Sequence, residues 1–84
     1  MEYKVLIRIY VPEIEENYEI YIPINKTVYQ TITTLNKIIN NISGGIYPIK
    51  DNLTLYNRRT YQEYKLEEII INTDIKNGTE LVLQ

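Results

Sequence analysis

The 84-residue chain has no histidine and no cysteine. This removes the commonest general base, the commonest metal ligand and all thiolate chemistry. Carboxylates, lysines, arginines and nine tyrosines remain. Asp51 and Asp74, the two aspartates, fall in separate expected loops. Catalysis needs a base, nucleophile or metal held in place, so no catalytic, cofactor-binding or metal-ligating residue is expected, and no cofactor. Glu13, Glu15 and Glu16 could hold a hard cation weakly, but they lack the spacing of a calcium loop and read as a solvated acidic turn. Glu67–Glu68 reads the same way. Arg58–Arg59, between Tyr56 and Tyr61, is the arrangement best suited to recognition. Two guanidiniums beside aromatic rings could dock an acidic partner or stack on a base. A solvated turn is the simpler alternative. The candidate partner contacts are therefore Tyr56, Arg58, Arg59 and Tyr61.

The charge balance narrows the partners. Nine basic against eleven acidic residues give a net charge of −2. Nucleic acid requires a basic face, so it is not expected as a partner. No apolar run approaches the roughly 18 residues of a membrane span, so direct membrane insertion is not expected. The opening segment MEYKVLIRIY alternates apolar residues with charges and does not read as a secretion signal. N-x-[ST] sequons begin at Asn25, Asn41, Asn52 and Asn77 and read as by-products of an Asn- and Thr-rich composition. A cytoplasmic location is the default, with other proteins as partners. Nine Tyr with no Phe or Trp means either Tyr used as the core-edge aromatic or a Tyr-rich contact surface.

The elements that must position these residues follow from periodicity. Residues 1–84 have room for one domain. Tyr3, Val5, Ile7, Ile9 and Val11 alternate with Lys4, Leu6, Arg8 and Tyr10, which predicts a strand ended by Pro12. A polar turn over 13–17 leads into a second alternating run, with Tyr18, Ile20 and Ile22 on one face and Pro23 at its end. Thr27 and Gln30 have capping-box spacing. Val28, Ile32, Leu35, Ile39 and Ile42 then form one helical stripe, stopped by Ser43-Gly44-Gly45. A short strand is expected over 53–56, a turn over 57–60 and a brief return strand from Tyr61. Leu66 serves as an apolar anchor, residues 66–72 form a short turn or helix, and Ile75 is a buried position. Asn77-Gly78 supplies a turn before a last strand over 80–83.

The order β-β-α-β-(β)-β is α+β. With Leu53-x-Leu55, Leu66, Ile75-Lys76-Asn77-Gly78 and Leu81-x-Leu83 it resembles the ubiquitin-like β-grasp, one main helix across a mixed sheet of four to five strands. Activated members of that superfamily end in Gly-Gly. This sequence ends Val82-Leu83-Gln84, and Gly44-Gly45 is internal, so conjugation or sulfur carriage is not expected. The resemblance places Thr54 and Gln84 where ubiquitin's exposed apolar patch would lie, so ubiquitin-patch receptors are not expected either. A small ubiquitin-like chain rich in Ile, Asn, Lys and Tyr resembles the YukD-type accessory protein of Gram-positive bacterial type VII secretion. That resemblance implies a non-catalytic interaction module, with a membrane secretion complex as its partner. The alternatives are a truncated modifier or sulfur carrier, and a self-associating structural module that forms weak homo-oligomers through its strand edges.

Overall fold

The computed structural model describes residues 3–84; Met1 and Glu2 of the expected domain lie outside the described residues. The alternating N-terminal runs form β1 (Lys4–Val11) and β2 (Glu16–Pro23), an antiparallel pair in which Lys4 faces Pro23 and Val11 faces Glu16. The link is tighter than a polar turn over 13–17. Pro12–Ile14 make a 3-10 turn, Glu15 takes a left-handed conformation (φ 52°), and Ile14 packs half-buried against the core. Proline suits the start of such a turn because its fixed φ is helical and its missing N–H is not needed there.

Helix α1 spans Val28–Ile42. Its capping box is complete: the Thr27 hydroxyl accepts from the Gln30 N–H at 3.1 Å, and the Gln30 side chain accepts from the Thr27 N–H at 3.0 Å. The threonines that weaken its propensity bond back along the helix. Thr31 and Thr33 hydroxyls donate to the carbonyls of Thr27 and Tyr29, which lets Thr31 be buried without an unpaired group. Val28, Ile32, Leu35 and Ile39 are buried as the stripe predicts. Ile42 is not: it is 52 % exposed in the last turn, beyond the reach of the sheet.

After α1, the chain crosses to β3 (Leu55–Asn57) and ends in β4 (Glu80–Leu83). The sheet order is β2-β1-β4-β3. β4 lies parallel to β1, with Ile9 beside Leu81, and antiparallel to β3, with Leu55 beside Leu83. This arrangement puts Ile7, Ile9 and Val11 from β1, Leu81 and Leu83 from β4 and Leu55 from β3 under the helix, all buried. At about 25 cal/mol per Å² of apolar area removed from water, this contiguous cluster is the main stabilising term.

Two expectations for the C-terminal half are corrected. Tyr61 does not begin a return strand. It has φ 62°, and only a single bridge, Tyr56 with Glu63, follows, so the sheet has four strands. Leu66 is not a core anchor, being 45 % exposed. Ile70, wholly buried at the start of the 3-10 turn Ile70–Asn72, does that work, with Ile75 buried after it. The preference of β-branched Ile69, Ile70 and Ile71 for extended backbone shortens the helical piece to one turn. Gly78 sits at φ 87° and donates its N–H to the Leu6 carbonyl at 2.8 Å, a backbone angle that an L-residue adopts only with strain.

Candidate interaction face

Alternation along the strands turns the other half of their residues to the face opposite α1. On that face the register lines up Asn17 of β2, Tyr10 of β1, Val82 of β4 and Tyr56 of β3, one residue per strand across the whole sheet. Val82 is only 4 % exposed although no helix covers it. Its cover comes from the side chains around it. Tyr10 and Tyr56 flank it, and the Arg58 guanidinium sits 4.5 Å above the Tyr10 ring and donates to the Asn17 side-chain oxygen at 2.9 Å. Arg58 leaves the end of β3, where its N–H donates to the Glu80 carbonyl, so reaching Asn17 takes its stem across the face. An arginine held this way combines a cation–π contact with a hydrogen bond while its stem shields apolar surface.

The four expected contact residues do not form one site. Arg58 belongs to the Tyr10–Val82 surface. Tyr56 and Tyr61 line a shallow depression of about 380 Å³ with Thr54, Glu63 and Gln84. Tyr56 donates its hydroxyl to the Gln84 side-chain oxygen at 2.9 Å, and Tyr61 is 78 % exposed. Arg59 turns away. Its N–H donates to the Asn57 side-chain oxygen, and it borders a separate depression with Asp74 and Glu80. The turn thus splits its two arginines between different surfaces.

Sequence reasoning missed Tyr10 and Val82. Tyr10 was already assigned to the outer side of β1 by alternation, but nothing local in the sequence says that β4 lies parallel to β1 and brings Val82 beside it. Thr54 and Gln84 pair at the end of the sheet, with the Thr54 N–H donating to the Gln84 carbonyl at 2.8 Å. One step further in, the outer face is not polar but carries Tyr56 and Val82.

A second concave region lies on the helix side. A groove of about 520 Å³ between α1 and the 49–53 segment is bordered by Tyr29, Ile32, Asn36, Ile49, Leu53 and Leu66. Asn36, buried in the helix, holds its far wall: its amide donates to the Lys50 carbonyl at 2.7 Å and accepts from the Lys50 N–H at 3.2 Å. Lys50 also pairs with Glu13, so the acidic turn is in part an internal contact.

Two phenols are perturbed. Burial, and then a 2.6 Å hydrogen bond to Asp74, push Tyr64 up to about 12. Burial also raises Tyr47. Both shifts favour the neutral phenol and so supply no base at neutral pH. Among the described residues no group of three or more acidic side chains could hold a metal ion, and no helix is long and apolar enough to cross a membrane.

No family model matches the chain, and no curated protein matches it. Solved structures do. A chain of the ESX-5 inner membrane complex superimposes with TM-score 0.79 and 15% identity over 96% of this chain. This chain spans only 20% of that protein's length. The ubiquitin-like domain of EccD5 from Mycobacterium xenopi gives 0.79 and 12% identity, covering 98% of this chain and 93% of that one. A chain of a toluene 4-monooxygenase complex gives 0.79 and 7% identity, covering 96% of each. At these identities the likeness is one of fold. The chain has the ubiquitin-like β-grasp fold.

Proposed function

We propose that this chain is a single, non-catalytic interaction domain serving as a cytoplasmic accessory component of a bacterial type VII secretion system. The carrying observation is that almost the whole chain superimposes on the ubiquitin-like domain of EccD5 and on part of an ESX-5 inner membrane complex. The outer sheet face supports it. A flat surface with two tyrosines around a shielded valine and an arginine that could be displaced has the aromatic and arginine composition of protein contact surfaces. Burial of Tyr10 and Tyr56 would drive docking, and Arg58 would set its direction toward an acidic partner.

The test is affinity purification of the tagged chain from detergent-solubilised cells of its source. We expect a membrane ATPase or another secretion-channel subunit, with no covalent adducts, and reduced recovery with Tyr56→Ala or Arg58→Ala. An adenylating enzyme or a ladder of conjugates would instead mean a modifier whose tail is missing from this sequence. The end-to-end overlap with a toluene 4-monooxygenase chain favours a second reading, a small subunit of an enzyme complex. Recovery of oxygenase subunits in place of the secretion machinery would select it.

A further inference from the structure

The two edges of the sheet are treated differently. The β3 edge is covered by the returning chain: Asn57 donates its N–H to the Gln62 carbonyl and Tyr64 donates to the Leu55 carbonyl, each at 2.9 Å. β2 is the opposite edge. Just past its end, Ile24 donates its N–H to the Tyr3 carbonyl at 3.1 Å, and the register pairs Ile22 with Val5, Ile20 with Ile7 and Tyr18 with Ile9. Antiparallel alternation therefore points the N–H and C=O of Ile22, Ile20 and Tyr18 at β1. It points those of Asn17, Glu19 and Tyr21 outward. Pro23 falls in the outward set, where its missing N–H breaks no bond of the sheet. Asn17, Glu19 and Tyr21 thus offer a row of free donors and acceptors, the template for an added strand.

A second copy of this chain fits that edge poorly in the two-fold antiparallel registers centred on Tyr18, Glu19 and Ile20. Centred on Glu19, the pairing sets two carboxylates directly opposite each other, which is destabilising. Centred on Ile20, it sets Pro23 opposite Asn17 at both ends, and each proline fails to donate. Centred on Tyr18, it sets Tyr21 opposite Glu15, whose φ of 52° takes it out of the strand. The same features invite a different strand. Glu15, Glu16 and Glu19, all exposed, give this side of the molecule an acidic character, while Glu13 is paired with Lys50. Glu19 is held only loosely, 3.9 Å from Arg8, with both side chains more than half exposed. On the helix side of the edge, Tyr18 and Ile20 are half-buried and pack on the core, so apolar neighbours would complete their burial. A groove of about 330 Å³ bordered by Pro23, Lys26, Tyr29, Gln30, Thr33 and Thr34 continues that side past the strand end, where Lys26 favours the apolar rather than the basic residues of a bound segment.

We propose that the free edge of β2 binds an extended basic segment of a partner protein by strand addition. A lysine or arginine lies opposite Glu19, and apolar residues at the alternate positions cover Tyr18 and Ile20. The edge adjoins the outer face, on which the Asn17 and Glu19 side chains lie, but strand addition to it does not depend on the secretion reading.

The test uses the purified chain and a capped eight-residue peptide of alternating lysine and valine, with the glutamate–valine peptide as control. Amide shifts and hydrogen exchange are followed by NMR. The expected result is saturable binding of the lysine peptide, with slowed exchange at Asn17, Glu19 and Tyr21. Glu19→Lys should weaken it by up to about fivefold, the factor for a cross-strand pair of about 1 kcal/mol, and improve binding of the control. Tyr21→Pro, which removes one outward donor, should weaken both peptides. Four outcomes would overturn the proposal: no saturation at millimolar peptide, equal binding of the two peptides, protection centred on Tyr10 and Tyr56, or edge protection from self-association without peptide.

Discussion

The two faces of this sheet are built from the same four strands yet held in different ways. Under α1, Ile7, Ile9, Val11, Leu55, Leu81 and Leu83 are buried with no directional partner, and closeness of packing fixes them. On the other face, Val82 is flanked by Tyr10 and Tyr56; the Tyr56 hydroxyl donates to Gln84, and Arg58 lies over Tyr10 and donates to Asn17. The inner face cannot be exchanged for anything without unfolding. The outer cover consists of side chains on rotatable stems, and a partner surface could replace it. One face therefore carries stability and the other is available for contact.

The largest expected effect belongs to the inner face. Leu35, wholly buried at the middle of α1, should cost about 2–5 kcal/mol when cut to alanine, a large share of the 5–15 kcal/mol typical of a domain. Urea unfolding measures it. A loss under about 1 kcal/mol would mean that the helix is not seated on this core as described.

Next is the alkaline limb. With Tyr64 raised to about 12 against about 10 for a free phenol, the folded state holds its proton more tightly than the unfolded state does. Stability from this group is complete below about pH 10 and is lost as pH climbs from there through about 12, by about 2–3 kcal/mol in all. Tyr64→Phe should lose about 1 kcal/mol at neutral pH, by deleting the bond to Asp74, yet decline less steeply above pH 10. Tyr47, also raised, keeps some slope in the variant. Parallel curves for the two proteins would remove Tyr64 from the explanation.

Asn36→Ala should cost about 1–2 kcal/mol, because it leaves the Lys50 N–H and carbonyl without their partner beside the helix. Its signature is local. Hydrogen exchange at Lys50 should rise well before that of β1, whereas uniform acceleration would mean that the contact does not act on the 49–53 segment alone.

The contrast between the faces also explains what could be read in advance. β1, β2, α1 and the capping box were legible because each is a local repeat: period two in the strands, and 4-3-4-3 spacing from Val28 to Ile42. Ile42 was placed too deep because periodicity marks a direction and not where the sheet ends beneath the helix. Residues 53–76 were less legible because single long-range bonds organise them: the Val28 N–H to the Glu68 carbonyl, the Ile70 N–H to the Lys26 carbonyl, the Ile71 N–H to the Ile24 carbonyl. Such bonds leave no pattern in composition, so exposed Leu66 and buried Ile70 look interchangeable in the sequence. The outer face was half legible. Tyr56 and Arg58 stood out by type, but their neighbours Tyr10 and Val82 come together only through the β1–β4 pairing.

The smallest expected effect sharpens the comparison most. Arg58 is exposed, so its contact with Tyr10 and its bond to Asn17 should together contribute about 0.5–1 kcal/mol. Arg58→Ala and Tyr10→Leu, combined in a double-mutant cycle, isolate that coupling from the area each side chain covers. If the arginine is a removable lid, the coupling is below about 1 kcal/mol, Arg58→Ala leaves the core amides fully protected, and only the Val82 region gains solvent. A coupling of several kcal/mol, or loss of protection in β1 and β4, would make the outer cover as structural as the inner face. The outer surface would then have no side chain free to yield its place to a partner.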